Sequence, residues 1–319
     1  MRESDLLRHI YGQNSSLPAT SASGAQVVIP PGDDMAMLHL AQRSLLIAAD
    51  QVVEGKHFAP GTPPRAVGRK ALLRNLSDIA AMAAVPSGCV ATVVLPAHFT
   101  LEHAADLYDG LRTAADEFGC PLIGGDTSVH SRSDAPLMVS VTVVAEPGST
   151  GRVIRRQGAQ VGDLLCVTGT LGGSLNCDSG GRHLNFVPRI QMALQLVNVL
   201  QDALHAMIDI SDGLGRDAAH LALAAGLDVE IQAAQLPCTA GVSWQHALSD
   251  GEDYELAFAC APDAPLDNLR SLNFEYLAPV TVVGRFTASV TAQGACRVQD
   301  PSGVWQDASR MGWEHGSTS

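Results

Sequence analysis

Aromatic residues are scarce in this chain: Phe, Trp and Tyr together make up 4% of its 319 residues. That argues against the stacking platforms of a single-stranded nucleic-acid binder. Basic residues are few as well. Twenty Lys and Arg stand against thirty-three Asp and Glu, a formal charge of −13, so the positive field that grips nucleic acid or anionic lipid is missing. Phosphates would have to be held through divalent cations. The seven cysteines (Cys89, Cys120, Cys166, Cys177, Cys238, Cys260 and Cys296) are odd in number, scattered, and form no C-x-x-C. This argues against a disulfide framework or a zinc ribbon and for a reducing compartment. The start, Met1-Arg-Glu-Ser-Asp-Leu-Leu7, has no apolar stretch of signal-peptide length. One uncharged run, Ile79 to Phe99, is long enough to consider as a membrane span, but Pro86, Ser87, Gly88 and Pro96 divide it into a helix end, a turn and a strand. The expectation is a cytoplasmic protein with no membrane segment.

Hydrophobic residues make up 46% and charged residues 17%, a globular composition whose length suits about two domains. Residues 3–12 are predicted to be a short helix and 13–25 a mobile Ser/Gly/Ala-rich stretch. Strands are predicted over 27–30, 37–40, 44–49, 90–95, 120–123 and 137–145, and helices over 64–84 and 101–118. In the second half, strands are predicted at 164–168, 207–210, 228–232 and 254–260, with helices at 189–205 and 213–225. Gly148-Ser-Thr-Gly151 marks a boundary between two α/β halves, 1–150 and 151–319.

The acids sit where a core should be. Asp33 and Asp34 follow a strand through Gly32, and Asp50 ends the run Leu45-Leu-Ile-Ala-Ala-Asp50. Asp78 lies in Asn75-Leu-Ser-Asp78-Ile-Ala-Ala-Met82, Asp126 follows Leu122-Ile-Gly-Gly, and Asp209 and Asp212 lie in Met207-Ile-Asp-Ile-Ser-Asp-Gly-Leu214. A buried carboxylate needs a partner. Lys and Arg are few beside these acids in sequence, and several carboxylates are hard oxygen ligands suited to Mg²⁺ working with substrate phosphates. In a strand, Asp209 and Ser211 would project to one face, with Asp212-Gly213 turning into the next helix. Gly124-Gly125 would let backbone amides approach an anion beside Asp126. The chain has no G-x-x-x-x-G-K-[ST] loop.

In this order the segments resemble the thiamine-monophosphate kinase family, a branch of the ATP-binding superfamily of aminoimidazole-ribonucleotide synthetase, selenophosphate synthetase and a hydrogenase-maturation protein. The resemblance runs nearly end to end. It includes Gly32-Asp-Asp34, Ala49-Asp50, Glu54-Gly-Lys-His57-Phe58, Lys70-Ala-Leu, Asn75 to Met82, Gly124-Gly-Asp-Thr127, Arg156-Gln-Gly-Ala159 and Gly162-Asp163. Asp209-Ile-Ser-Asp-Gly-Leu214, Gly251-Glu-Asp-Tyr-Glu-Leu256 and Gly312-Trp-Glu-His315 complete it. The resemblance implies an α/β fold of the α+β type: a two-domain, aminoimidazole-ribonucleotide-synthetase-like architecture whose N-terminal sheet pairs across a homodimer. It implies ATP-dependent phosphorylation of thiamine monophosphate to thiamine diphosphate by direct transfer, with several Mg²⁺ ions and no covalent enzyme intermediate. Asp34, Asp50, Asp78, Asp126, Asp209 and Asp212 would hold the metal. Tyr108, Gly125, Asp126, Arg156 and Ser211 would hold ATP, and His57, Glu252 and Trp313 the thiamine substrate.

Three positions depart from the family pattern. Ala48-Ala49 replaces the hydroxyl residues usual before Asp50, Ala83 replaces a Gly after Met82, and Asp250 replaces a Gly before Gly251. The first removes one or two hydroxyl ligands, with position 49 expected to face the metal, and keeps a degenerate nucleotide- and Mg²⁺-binding homologue as an alternative. Another superfamily acceptor is a second alternative, disfavoured because no Cys precedes Cys89 and the chain ends in Ser317-Thr-Ser319.

Overall fold

The apolar run ending at Asp50 belongs to a six-stranded sheet: β1 (Gln26–Ile29), β2 (Ala36–Leu40), β3 (Arg43–Val53), β4 (Ala84–Leu95), β5 (Leu122–Val129) and β6 (Met138–Pro147). The computed structural model describes residues 3–12, 14, 18–175, 181–270, 278–289 and 294–314; Cys177, His315 and part of the 13–25 stretch fall outside them. The strand order is β1-β2-β3-β6-β4-β5. Neighbours are antiparallel except β4 and β5, whose parallel pairing requires a crossover, here helix α3 (Leu101–Glu117). A short helix, α1 (Glu3–Gly12), precedes the sheet.

The run 79–99 differs from expectation. Ala84–Leu95 is one strand, and Pro86 is accommodated where the pairing with β6 slips between Pro86 and Gly88. A bulge is where a strand tolerates proline. Gly124-Gly125-Asp126 likewise lies within β5 rather than in a loop. Gly125 has a reason beyond any ligand: a Cβ there would lie 1.8 Å from the Ala91 carbonyl oxygen of β4.

The second sheet contains β7 (Leu164–Thr168), β8 (Leu204–Asp209), β9 (Leu227–Gln232), β10 (Leu256–Cys260), β11 (Val280–Ala288), β12 (Cys296–Gln299) and β13 (Trp305–Asp307). Its order is β13-β12-β9-β11-β7-β10-β8. Helices α4 (Ile190–Leu200), α5 (Leu214–Ala225), α6 (Trp244–Ser249) and α7 (Leu266–Arg270) accompany it. The helix expected over 189–205 stops at Leu200, because Leu204 onward is β8. Both faces of this sheet are covered, so its central strands read as continuous apolar runs. Cys166, Met207 and Phe258 face one core; Leu165, Val167, Ile208 and Ala257 face another, with Leu214 and Leu221 of α5.

The first of these cores also includes Leu46 and Val139 of the first sheet and Leu72 and Leu76 of helix α2 (Pro64–Ala81). Helix α2 thus lies in the apolar layer between the sheets, and its buried side chains include Lys70, Asn75 and Ser77. It crosses α3 backbone against backbone: a Cβ on Gly68 would lie 2.0 Å from Leu107 O, and one on Gly110 2.0 Å from Arg65 O. At its C-terminal end Ala83 takes a left-handed conformation with φ 52°, the position where helices usually place glycine. Among the described residues no helix is long and apolar enough to cross a membrane.

Candidate active site

Three elements bring three acids together. Asp34 comes from the turn between β1 and β2, Asp78 from the last turns of α2, and Asp209 from the end of β8. One carboxylate oxygen from each lies within 4.8 Å of the others. Asp34 and Asp209 are buried, at 8% and 4% exposure, and Asp78 is half-buried. Removal from water raises the pKa of all three. Asp50 and Asp209 add like-charge repulsion at Asp78. Asp209, pushed up first by burial and then by Asp34, reaches about 7, although a hydrogen bond from Ser77 Oγ at 2.7 Å opposes the rise.

Sequence proximity is a poor guide to the basic partners. Arg156 donates to Asp34 Oδ1 at 2.6 Å, its backbone N–H donates to Asp33, and Arg155 Nε lies 3.2 Å from Asp33 Oδ2. Arg74 donates to Asp50 Oδ2 at 3.1 Å. The expectation of acids without nearby cations is therefore corrected for Asp33, Asp34 and Asp50, and for Asp212 beside Arg216. It holds at Asp78 and Asp209, which form no ion pair among the described residues, and at one atom of Asp34, whose Oδ2 is buried with no hydrogen-bond partner. Converging oxygen donors with raised pKa values and one orphaned carboxylate oxygen fit a hard divalent cation.

Asp50, Asp212 and Asp126 lie outside this group of three. Asp50 is half-exposed beside Arg74, and Asp212 faces Arg216 at 3.6 Å. Ala49 is exposed; strand alternation puts it on the face of β3 opposite Asp50, and Ala48 on the same face. A hydroxyl at position 49 would not share the Asp50 face, which corrects the expectation from sequence. Asp126 sits on β5, the edge strand, where it lines a cavity of about 520 Å³ together with Tyr108, Leu111, Ile123 and Gly125. The sequence-derived ATP residues thus fall in two places: Tyr108, Gly125 and Asp126 at the sheet edge, and Arg156 and Ser211 near the acids.

Two of the three residues expected to hold thiamine, His57 and Glu252, are linked by groups that sequence reasoning missed. Lys70, fully buried, donates to His57 O and to Glu252 Oε2, each at 2.5 Å. His183 Nδ1 lies 2.7 Å from Lys70 Nζ and 3.0 Å from Glu252 Oε2, so its tautomer decides whether it accepts from the lysine or donates to the carboxylate. Burial alone would raise Glu252; the His183 contact and the Lys70 ammonium outweigh it and hold the carboxyl at about 2. Burial lowers Lys70 to about 8 against the pull of Glu252. His57 accepts the Val53 N–H at Nδ1 and, chiefly through burial, falls to about 3, so its imidazole is neutral. Trp313 donates from Nε1 to Asp250 O at 2.8 Å. Glu252 has φ 53° and Tyr254 φ 51°, with Tyr254 stacked on Phe186 at 3.9 Å between ring centroids. Non-glycine residues in this region are held only by surroundings that over-determine them.

Residues 32–146 match the family model for AIR synthase related protein, N-terminal domain. The thiamine-monophosphate kinase of Rhodopirellula baltica is 34% identical over 304 residues, 89% of each chain. That of Escherichia coli K12 is 32% identical over 325 residues, covering 93% of this chain and 94% of the other. The solved structure described as AaThiL complexed with AMPPCP and TMP superposes with a TM-score of 0.77 at 28% identity, over 98% of this chain and 97% of that one. Similarity of this extent, along nearly the whole length, means that the chain belongs to the thiamine-monophosphate kinase family.

Proposed function

We propose that this protein transfers the terminal phosphoryl group of ATP directly to thiamine monophosphate, giving thiamine diphosphate and ADP. The observation that carries the reading is the group Asp34, Asp78 and Asp209, with a buried Asp34 oxygen that has no partner, in a chain whose family relatives are thiamine-monophosphate kinases. A relative complexed with AMPPCP, an ATP analogue, and TMP supports the same pair of substrates. Phosphoryl transfer is catalysed mainly by positioning and charge neutralisation. In an acidic chain, what Mg²⁺ supplies is neutralisation of the phosphate oxygens of both substrates.

Asp34, Asp78 and Asp209 are the proposed inner metal ligands, and Asp50 and Asp212 flank them. Arg156, held by Asp34, would orient a nucleotide phosphate, and Ser211 would contact it from the loop after β8. His57, Glu252 and Trp313 would hold the thiamine: a neutral imidazole, a fixed negative charge suited to a cationic heterocycle, and an aromatic wall. Tyr108 and Gly125 would receive the adenine end of ATP in the β5 cavity, and Asp126 would hold metal from there. We take the protein to be a cytoplasmic homodimer, with the open β5 edge helping to complete the ATP cleft. The halves 1–150 and 151–319 are its two domains. The test is ATP consumption across a panel of phosphorylated acceptors, with product identification. Folded, ATP-binding protein that leaves thiamine monophosphate unchanged at every Mg²⁺ concentration would overturn the reading.

A further inference from the structure

Asp209 ends β8, the loop that follows to α5 carries Ser211 and Asp212, and something holds its shape. The backbone N–H groups of Ser211, Asp212 and Gly213 all donate to one atom, Asp217 Oδ2, each at 3.1 Å. Asp217 is 2% exposed and lies in the first turn of α5. Convergent amides at a helix start form a concavity that commonly receives phosphate. Here the chain's own carboxylate fills it, so these amides are not available to a nucleotide. The carbonyls of the same stretch face other segments. Ile210 O accepts from Tyr254 N and Ser211 O from Glu252 N, each at 2.8 Å, while Asp212 O accepts from Trp313 N at 2.9 Å. These contacts are too close for side chains. A Cβ on Gly251 would lie 2.8 Å from Ser211 O, and one on Gly312 2.6 Å from Asp212 O.

We infer that Asp217 is a positioning residue that sets both sides of the site at once. Its carboxylate fixes residues 211–213; that loop fixes Asp209 and Asp212 on the cation side, and Glu252 and Trp313 on the thiamine side. Asp217 itself touches neither substrate. The inference rests on the proposed kinase reading for its kinetic consequence, but not for its effect on cation binding.

The test compares Asp217→Ala, which removes the acceptor, with Asp217→Asn, which keeps an oxygen of the same reach without the charge. In Asp217→Ala the KM for thiamine monophosphate and the apparent Mg²⁺ constant should rise together, each at least about tenfold, and Asp217→Asn should shift both by about threefold. A residue that merely caps α5 would lower the melting temperature and the active fraction while leaving both constants in place. That outcome, or movement of only one constant, overturns the inference. If Asp217→Ala does not fold, the joint shift in Asp217→Asn decides the matter, and unchanged constants there overturn the inference too. Mg²⁺-induced thermal shifts are read in parallel. Should the wild type fail to phosphorylate thiamine monophosphate, the kinase reading falls, and the inference then stands or falls on whether Asp217→Asn weakens the Mg²⁺ shift.

Discussion

Two neighbouring regions contain acids that the fold takes out of water, and they treat them in opposite ways. In the segment 252–255 every acid has a basic partner. Lys70 reaches Glu252, Arg182 reaches Asp253 at 2.7 Å, and Arg189 meets Glu255 with two guanidinium nitrogens. Ser174 and the Gly172 N–H also serve Asp253, and Thr168 serves Glu255. In the cluster of Asp34, Asp78 and Asp209, Arg156 pairs with Asp34 alone, and Asp34 Oδ2 is left without a partner. The pKa values part in consequence: against its burial, Glu252 is held at about 2 by His183 and Lys70, whereas burial and Asp34 push Asp209 up to about 7. Compensation is not uniform even in the first region, since burial lifts Asp253 to about 6 despite its partners. The difference separates acids whose charge the fold itself balances from acids whose charge it leaves unbalanced.

That contrast can be broken from either side. The largest expected effect is on stability: Arg189→Met strands Glu255, which is 3% exposed, and removing one partner of a buried pair costs about 3–5 kcal/mol. Chemical denaturation would measure it, and a loss under about 1 kcal/mol would mean that the pair is dispensable. Asp209→Asn should act in reverse, cutting turnover by at least about 100-fold while leaving the metal-free protein at least as stable as wild type, because an amide relieves the repulsion. A melting curve together with a rate distinguishes the two variants.

A smaller effect comes from the cation alone. A carboxyl whose pKa is raised in the folded state contributes stability that is complete below its unfolded value of 3.8 and lost as the pH rises through about 7. Mg²⁺ binding must displace that proton. The Mg²⁺-induced rise in Tm should therefore be larger at pH 8 than at pH 5, and Asp209→Asn should reduce the difference without abolishing it, since Asp34 and Asp78 are also raised. An equal shift at both pH values would remove Asp209 from the proposed ligand set. The smallest effect serves as a control. Ala83→Gly relieves the left-handed strain at the end of α2 and should add roughly 0.5 kcal/mol, seen as a higher denaturation midpoint. It should leave the Mg²⁺ response unchanged, which shows that the two readouts move independently.

The sequence was most legible where one short segment carried the signal. Residues 164–168 appear as the strand expected there, and α2 and α3 lie within a few residues of their predicted spans. Acids against apolar runs picked out Asp34, Asp78 and Asp209. The partners were not legible, because Asp34 and Arg156 are 122 residues apart and Lys70 and Glu252 are 182 apart; no local pattern encodes such a pairing. Strands β11 to β13 were missed for a similar reason, as their stability comes from neighbours such as β9 and β7. Asp217 had a weak signal, an acid in the first turn of a helix, which ordinarily indicates only a favourable dipole.

The glycine crossing of α2 and α3 has a mechanical consequence. Leu107 O and Arg65 O occupy the space where side chains would stand, so the spacing of the two helices depends on both glycines. Tyr108 on α3 and Asp78 on α2 are therefore carried by two helices whose spacing is set by this one crossing. A side chain added at Gly68 or Gly110 would push the two helices apart, and with them the cavity wall at Tyr108 and the acid at Asp78.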